Sequence, residues 1–218
     1  MAKPTTHVLL IVDMSGSMGR LASDVRGGFN TYVDELRADT EKKYRLSVTV
    51  FDTEFVSLCT AAKLRDVPAL TEQNYRPRGM TALMDAVGKT IAEFESATTL
   101  GDDDRVLVVV QTDGHENSSR EFRREDIAVL IREREAGGRW SFVFLGAGPD
   151  TWQQAEGMGF RGASTVSLDA TSGATQGSYS GLGAATRSYS RGGSAAEAAI
   201  AVAGASGGVV PNGQADIT

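Results

Sequence analysis

Three short stretches of this chain, 7–12, 106–110 and 141–145, are almost continuously apolar and rich in β-branched or aromatic residues. A half-buried strand alternates apolar and polar side chains, whereas a strand without alternation needs cover on both faces. That condition is met in a parallel sheet flanked by helices. Between the runs lie residues with helical spacing: Leu21, Val25, Phe29, Val33 and Leu36; then Leu83, Val87, Ile91 and Phe94; then Ile127, Leu130 and Arg134 before Gly137 and Gly138. Strand and helix patterns alternate, so the class is α/β. One segment departs from this order. In 44–59, Leu46, Val48 and Val50 alternate with polar residues, Asp52-Thr53 can turn, and 55–59 offers a second strand, which predicts a hairpin and one antiparallel edge strand. A short helix from Thr151 and a strand at 165–168 complete the expectation: a Rossmann-like, mostly parallel sheet of about six strands with helices on both faces, over residues 1–170.

Beyond Asp169 the sequence turns to Gly, Ala, Ser and Thr. Tyr179, Leu182, Thr186 and Tyr189 keep helical spacing and predict an additional C-terminal helix within 171–191. From Gly192 onward, small residues offer little to offset a backbone ordering cost of roughly 1–2 kcal/mol per residue, so 192–218 reads as a Gly/Ala-rich flexible tail or assembly arm.

Composition narrows the function classes. The formal charge is -6 and the pI about 5.0, and the arginines of 120–139 are interleaved with glutamates, which argues against a nucleic-acid partner. No run approaches the roughly 20 apolar residues of a membrane helix. The start, Met-Ala-Lys-Pro-Thr-Thr, lacks the pattern of a signal peptide. The single cysteine, Cys59, lies in an apolar alternating stretch and reads as a strand residue rather than a reactive thiol. Cytoplasmic residence is the expectation.

In open α/β sheets, ligands bind at the carboxyl ends of the strands, so the residues just after each apolar run carry the chemistry. The first run ends in Asp13-Met-Ser15-Gly-Ser17, the segment before the second helix is Gly79-Met80-Thr81-Ala82-Leu83, and the later run ends in Gln111-Thr112-Asp113-Gly114. All supply hydroxyl or carboxylate oxygens. An oxygen-only set built on one or two carboxylates suits a hard cation that keeps its waters, Mg²⁺ first, with Mn²⁺ or Ca²⁺ as alternatives.

At these residues the sequence resembles the von Willebrand factor type A (vWA) domain family, whose metal-ion-dependent adhesion site (MIDAS) has the pattern Asp-x-Ser-x-Ser, a distant Thr, and a distant Asp in Thr-Asp-Gly. Asp13, Ser15, Ser17, Thr81 and Asp113 match it completely, and the element order over about 7–168 matches too. The resemblance implies that the serines ligate the metal directly, the Thr directly or through water, and the aspartates mainly through water. It also implies that the last ligand is an Asp or Glu from a partner protein. Bacterial and phage domains of this kind often work beside ATPase motors or in multi-subunit assemblies. The function expected is therefore a cation-dependent protein-binding module without turnover.

Each residue also has a structural alternative. Asp13 or Ser17 could cap the first helix, Thr81 the next, and Asp113-Gly114 could be a plain turn. His115 follows the site loop and reads as a solvated residue, with contact to a ligand as the alternative, while Arg76 and Arg78 flank the Thr81 loop and read either as exposed loop charges or as steering an anionic partner to the cation. Asp102–Asp104 read as a solvated turn. Met14, Met18 and Met80 suit packing or a pliable rim, since a hard cation disfavours thioethers. The rival function is a Mg²⁺-dependent phosphoryl-transfer enzyme of the haloacid dehalogenase type with Asp13 as nucleophile. Against it, Ser15 stands where a second acid is needed and no paired acids follow a late strand. A structural subunit of an oligomeric assembly is compatible with the binding module.

Overall fold

In strand β1 (Thr5–Asp13) every residue is buried, because successive side chains enter two different apolar clusters. Val8, Leu10 and Val12 join one cluster and Leu9 and Ile11 the other. This computed structural model describes residues 3–148 and 150–210. Helix α1 (Ala22–Ala38) follows, then the hairpin of β2 (Lys43–Phe51) and β3 (Phe55–Lys63), helix α2 (Leu83–Ala97), strand β4 (Arg105–Thr112) and helix α3 (Arg124–Ala136). Strand β5 (Trp140–Ala147), helix α4 (Thr151–Gly157), strand β6 (Thr165–Leu168) and helices α5 (Ser172–Ser190) and α6 (Ala195–Ser206) complete the order.

The six strands form one sheet in the order β3-β2-β1-β4-β5-β6. All neighbours pair parallel except β2 and β3, so the hairpin supplies the antiparallel edge strand. Helices α1, α5 and α6 pack on one face and α2, α3 and α4 on the other, an α/β, Rossmann-like architecture. The chain leaves β1 towards β2 on one side and returns to β4 on the other. The connections that leave the carboxyl ends of β1 and β4 therefore diverge, the place where such sheets bind ligands. No helix among the described residues is long and apolar enough to cross a membrane.

The C-terminal expectation needs correction. Helix α5 carries Tyr179, Leu182, Ala185 and Tyr189 into the same core cluster as β1, so the core does not end near Leu168. Residues 195–206, expected in a flexible tail, form α6. Ser194 caps its first turn reciprocally with Glu197, Ala dominates its interior, and Gly207 ends it at φ 71° in the left-handed region. What offsets the ordering cost is close backbone contact: a Cβ on Gly181 of α5 would lie 2.6 Å from Val202 Cα. The chain then pairs Val209 with Ser167 through two backbone hydrogen bonds of 2.9 Å. Residues 211–218 of the expected tail lie outside the described residues.

Candidate metal centre

Strand register places the first group. Val12 of β1 pairs with Gln111 of β4, so Asp13 stands beside Thr112. The Thr112 hydroxyl donates to Asp13 Oδ2 at 2.5 Å and the Ser15 N–H donates to Oδ1 at 2.6 Å. The Tyr75 hydroxyl donates to the Asp13 carbonyl at 2.6 Å. Asp13 is fully buried, and burial pushes its carboxyl up to about 6, against the opposing effect of the Thr112 and Ser15 hydrogen bonds.

After Asp13 the chain enters a short 3₁₀ turn, Gly16–Leu21. Ser15 Oγ and Ser17 Oγ lie 3.1 Å apart, and the Ser17 hydroxyl donates to Asp113 Oδ1 at 2.5 Å. The Thr81 loop is sewn to this turn by backbone bonds, from the Gly16 N–H to the Gly79 carbonyl (3.3 Å) and from the Arg78 N–H to the Met14 carbonyl (2.8 Å). Asn117 ties Thr81 to the β4–α3 loop. The Thr81 N–H donates to Asn117 Oδ1 at 2.9 Å, and the Asn117 N–H donates to the Thr81 carbonyl at 3.0 Å.

Gly114 shows where these oxygens converge. A Cβ on it would lie 2.7 Å from Thr81 Oγ1, 3.3 Å from Asp13 Oδ2 and 3.5 Å from Ser15 Oγ. Ser17 and Asp113 join through the bonds just given, so the fold brings all five predicted residues together. One oxygen is left over: Asp113 Oδ2 is buried and accepts no hydrogen bond. Arg20 Nη2 stands 3.6 Å from it, within ion-pair range and too far for a hydrogen bond. An unsatisfied buried carboxylate oxygen costs free energy that a bound cation would recover. Two carboxylates, three hydroxyls, a cradle without a side chain and an orphaned oxygen fit a hard cation. Among the described residues no group of three or more His, Cys, Asp or Glu gathers as a metal cluster, so hydroxyls have to supply part of any cation shell here.

The capping alternatives do not hold. Leu21 and Ala82 occupy the N-caps of α1 and α2, neither with a side-chain cap bond. Glu116 instead accepts the Met84 N–H at 3.0 Å in the first turn of α2, along with the N–H groups of Ser118 and Ser119. Buried Asp85 accepts the N–H groups of Arg120, Glu121 and Phe122. Asp52 accepts the Glu54 N–H and Arg78 Nε. The sequence reading missed these supports, together with Thr112, Tyr75 and Asn117. A carboxylate that works on loop backbone looks, in sequence, like any solvated acid.

Other candidates sort clearly. The His115 side chain is exposed, with Nε2 3.7 Å from Asp150 Oδ2. Arg78 is held by Asp52 and Glu54, while Arg76 is exposed. Met14 and Met18 are core residues and Met80 is exposed at the rim. Asp104 departs from the solvated-turn reading: it accepts the Thr5 and Gly101 N–H groups and pairs with His7. Cys59 is half-buried, and burial pushes its thiol up to about 11.

No protein-family profile matches the sequence, and no curated protein sequence matches it. Solved structures do match. Proximal thread matrix protein 1 from the mussel byssus is 12% identical at a TM-score of 0.60, covering 87% of this chain and 46% of that one. A further structure of the mussel protein, with a zinc-occupied MIDAS motif, is 11% identical at 0.54, over 87% and 46%. The von Willebrand factor type A structure from Catenulispora acidiphila is 15% identical at 0.55, over 85% and 43%. The manganese-loaded TRAP protein of Plasmodium vivax is 16% identical at 0.55, over 76% and 68%. This chain thus spans about half the length of the mussel and Catenulispora structures. At these identities the likeness concerns the fold, and the fold is that of a vWA domain.

Proposed function

We propose that this chain is a divalent-cation-dependent protein-binding module. Asp13, Ser15, Ser17, Thr81 and Asp113 would hold the cation, and an Asp or Glu of a partner protein would complete its shell. The observation that carries this reading is the cradle at Gly114, bordered by Thr81, Asp13 and Ser15 oxygens beside the orphaned Asp113 Oδ2. Metal-loaded neighbours of the same fold support it. An all-oxygen set favours Mg²⁺ over softer ions. The bound cation would supply a fixed positive charge for a carboxylate, and the chain's own groups would position it.

Binding without turnover is part of the proposal. Asp13 is fully buried and both its carboxylate oxygens accept hydrogen bonds, which suits holding a charge and hinders attack on a phosphoryl group. Cytoplasmic residence and work within an ATPase-linked or multi-subunit assembly belong to the same proposal and rest on the composition and the resemblance.

Calorimetric titration of Mg²⁺ and Mn²⁺ into chelator-treated protein tests it, beside an Asp13→Ala, Ser15→Ala variant checked for folding by circular dichroism. Saturable one-site binding that disappears in the folded variant is the expected result. Equal binding by both proteins would assign the cation elsewhere.

A further inference from the structure

Asp113 Oδ2, the buried oxygen without a hydrogen bond, faces one cation of the chain's own: Arg20 Nη2 at 3.6 Å. Among the described residues no other basic side chain forms an ion pair with Asp113 or Asp13. The Arg20 side chain is 63% exposed, whereas that of Asp113 is 2% exposed. Arg20 sits in the turn Gly16–Leu21 that also carries Ser17, so it is tethered to the site while most of its length lies in water. It makes no hydrogen bond among the described residues, so nothing but this contact fixes its guanidinium.

Arg78 is the informative contrast. It too lies in a site loop with a side chain 62% exposed, but Asp52 and Glu54 take its guanidinium at 2.9 and 2.8 Å. One arginine is locked by partners outside the cradle, and the other rests loosely against the unsatisfied Asp113 oxygen beside it.

We infer that Arg20 is the resident counter-cation of the site and that it competes with the divalent cation for Asp113. This rests on the metal-site reading given above. Two cations cannot share one carboxylate oxygen at close range without strong repulsion, so binding of the divalent ion displaces the guanidinium outward. Arg20 therefore weakens the site's intrinsic affinity for metal and offsets the charge of Asp113 when metal is absent. With the arginine end of the pair mostly in water and the contact beyond hydrogen-bond distance, it is worth about 0.2–1 kcal/mol, which corresponds to a change in dissociation constant of up to about fivefold.

The test is calorimetry of Mg²⁺ binding to the full chain at about 0.15 M salt, on wild type, Arg20→Gln, Arg20→Lys, Arg78→Gln and the Asp13→Ala, Ser15→Ala double variant. Arg20→Gln should bind Mg²⁺ about two- to fivefold more tightly than wild type. Arg20→Lys, which keeps the charge, and Arg78→Gln, which removes a charge already paired, should each stay within about twofold. Unchanged or weaker binding by Arg20→Gln overturns the inference while leaving the metal site standing, provided wild type binds and the double variant does not. Equal tightening by Arg78→Gln also overturns it, since the effect would then belong to the general field of the surface. If neither wild type nor Arg20→Gln binds, the metal site falls and the inference falls with it.

Discussion

Gly114 at the sheet's carboxyl end and Gly177 and Gly181 in α5 lack the same side chain to opposite effect. At Gly114 the missing Cβ leaves a space edged by the oxygens of Thr81, Asp13 and Ser15. In α5 the missing Cβ atoms admit the backbone of α6, with Gly177 against the Ala205 carbonyl and Gly181 against Val202 Cα. The first region gathers polar atoms close to a bare backbone, with an unsatisfied carboxylate oxygen on the neighbouring residue, and the second fills the space with chain. A region that leaves a buried carboxylate oxygen unpaired carries a cost that close packing avoids, and such costs collect where a ligand binds.

Breaking the packed region should have the largest effect. In Gly181→Val a Cβ 2.6 Å from Val202 Cα and 2.8 Å from the Ala201 carbonyl forces α6 away from α5. Urea unfolding should show a loss of about 3 kcal/mol, while the folded variant keeps wild-type Mg²⁺ affinity. A stable variant with weakened metal binding would mean the two regions are not separate.

The regions should also differ in their response to pH. Burial raises the Asp13 carboxyl from 3.8 to about 6. A carboxyl raised on folding favours the folded state when protonated, so its contribution is present below about pH 4 and is lost as pH rises through about 6. For cation-free protein the effect is about 2–3 kcal/mol. It should appear as a fall in unfolding free energy between pH 4 and pH 7 in wild type that is absent in Asp13→Asn. Cation binding needs the carboxylate, so Mg²⁺ affinity should drop about tenfold from pH 7 to pH 5. Packing between α5 and the sheet should stay silent over this range, because burial drives the Tyr179 phenol far above its ordinary value.

A smaller change sharpens the contrast from the other side. Gly114→Ala puts a methyl 2.7 Å from Thr81 Oγ1. Calorimetry should show at least about tenfold weaker Mg²⁺ binding, with stability changed by less than about 1 kcal/mol. A large loss of stability with intact affinity would mean that Gly114 serves packing.

The same two regions differ in how far they can be read from sequence. Strands covered on both faces announce themselves as unbroken apolar runs, and Asp13, Ser15, Ser17, Thr81 and Asp113 are side-chain types whose spacing carries the chemistry. Helix α6 has no such signature. Its inward residues Ala198, Ala199 and Val202 differ little in hydropathy from its outward ones, and the α5 face it meets closely is built on Gly177 and Gly181. The readable signal was local: Ser194 with Glu197 as a capping pair and Gly207 as a stop. Asn117, Glu116 and Asp85 stayed hidden because they act on backbone groups far away in the chain. Residue type alone does not reveal such partners.

The most direct test of the central claim is a crystal of the chain soaked in Mn²⁺ and measured at the manganese absorption edge. One anomalous peak among the oxygens of Asp13, Ser15, Ser17, Thr81 and Asp113 is the predicted result. Strong peaks elsewhere on the chain with none in this cradle, at a Mn²⁺ concentration that saturates binding in solution, would contradict it.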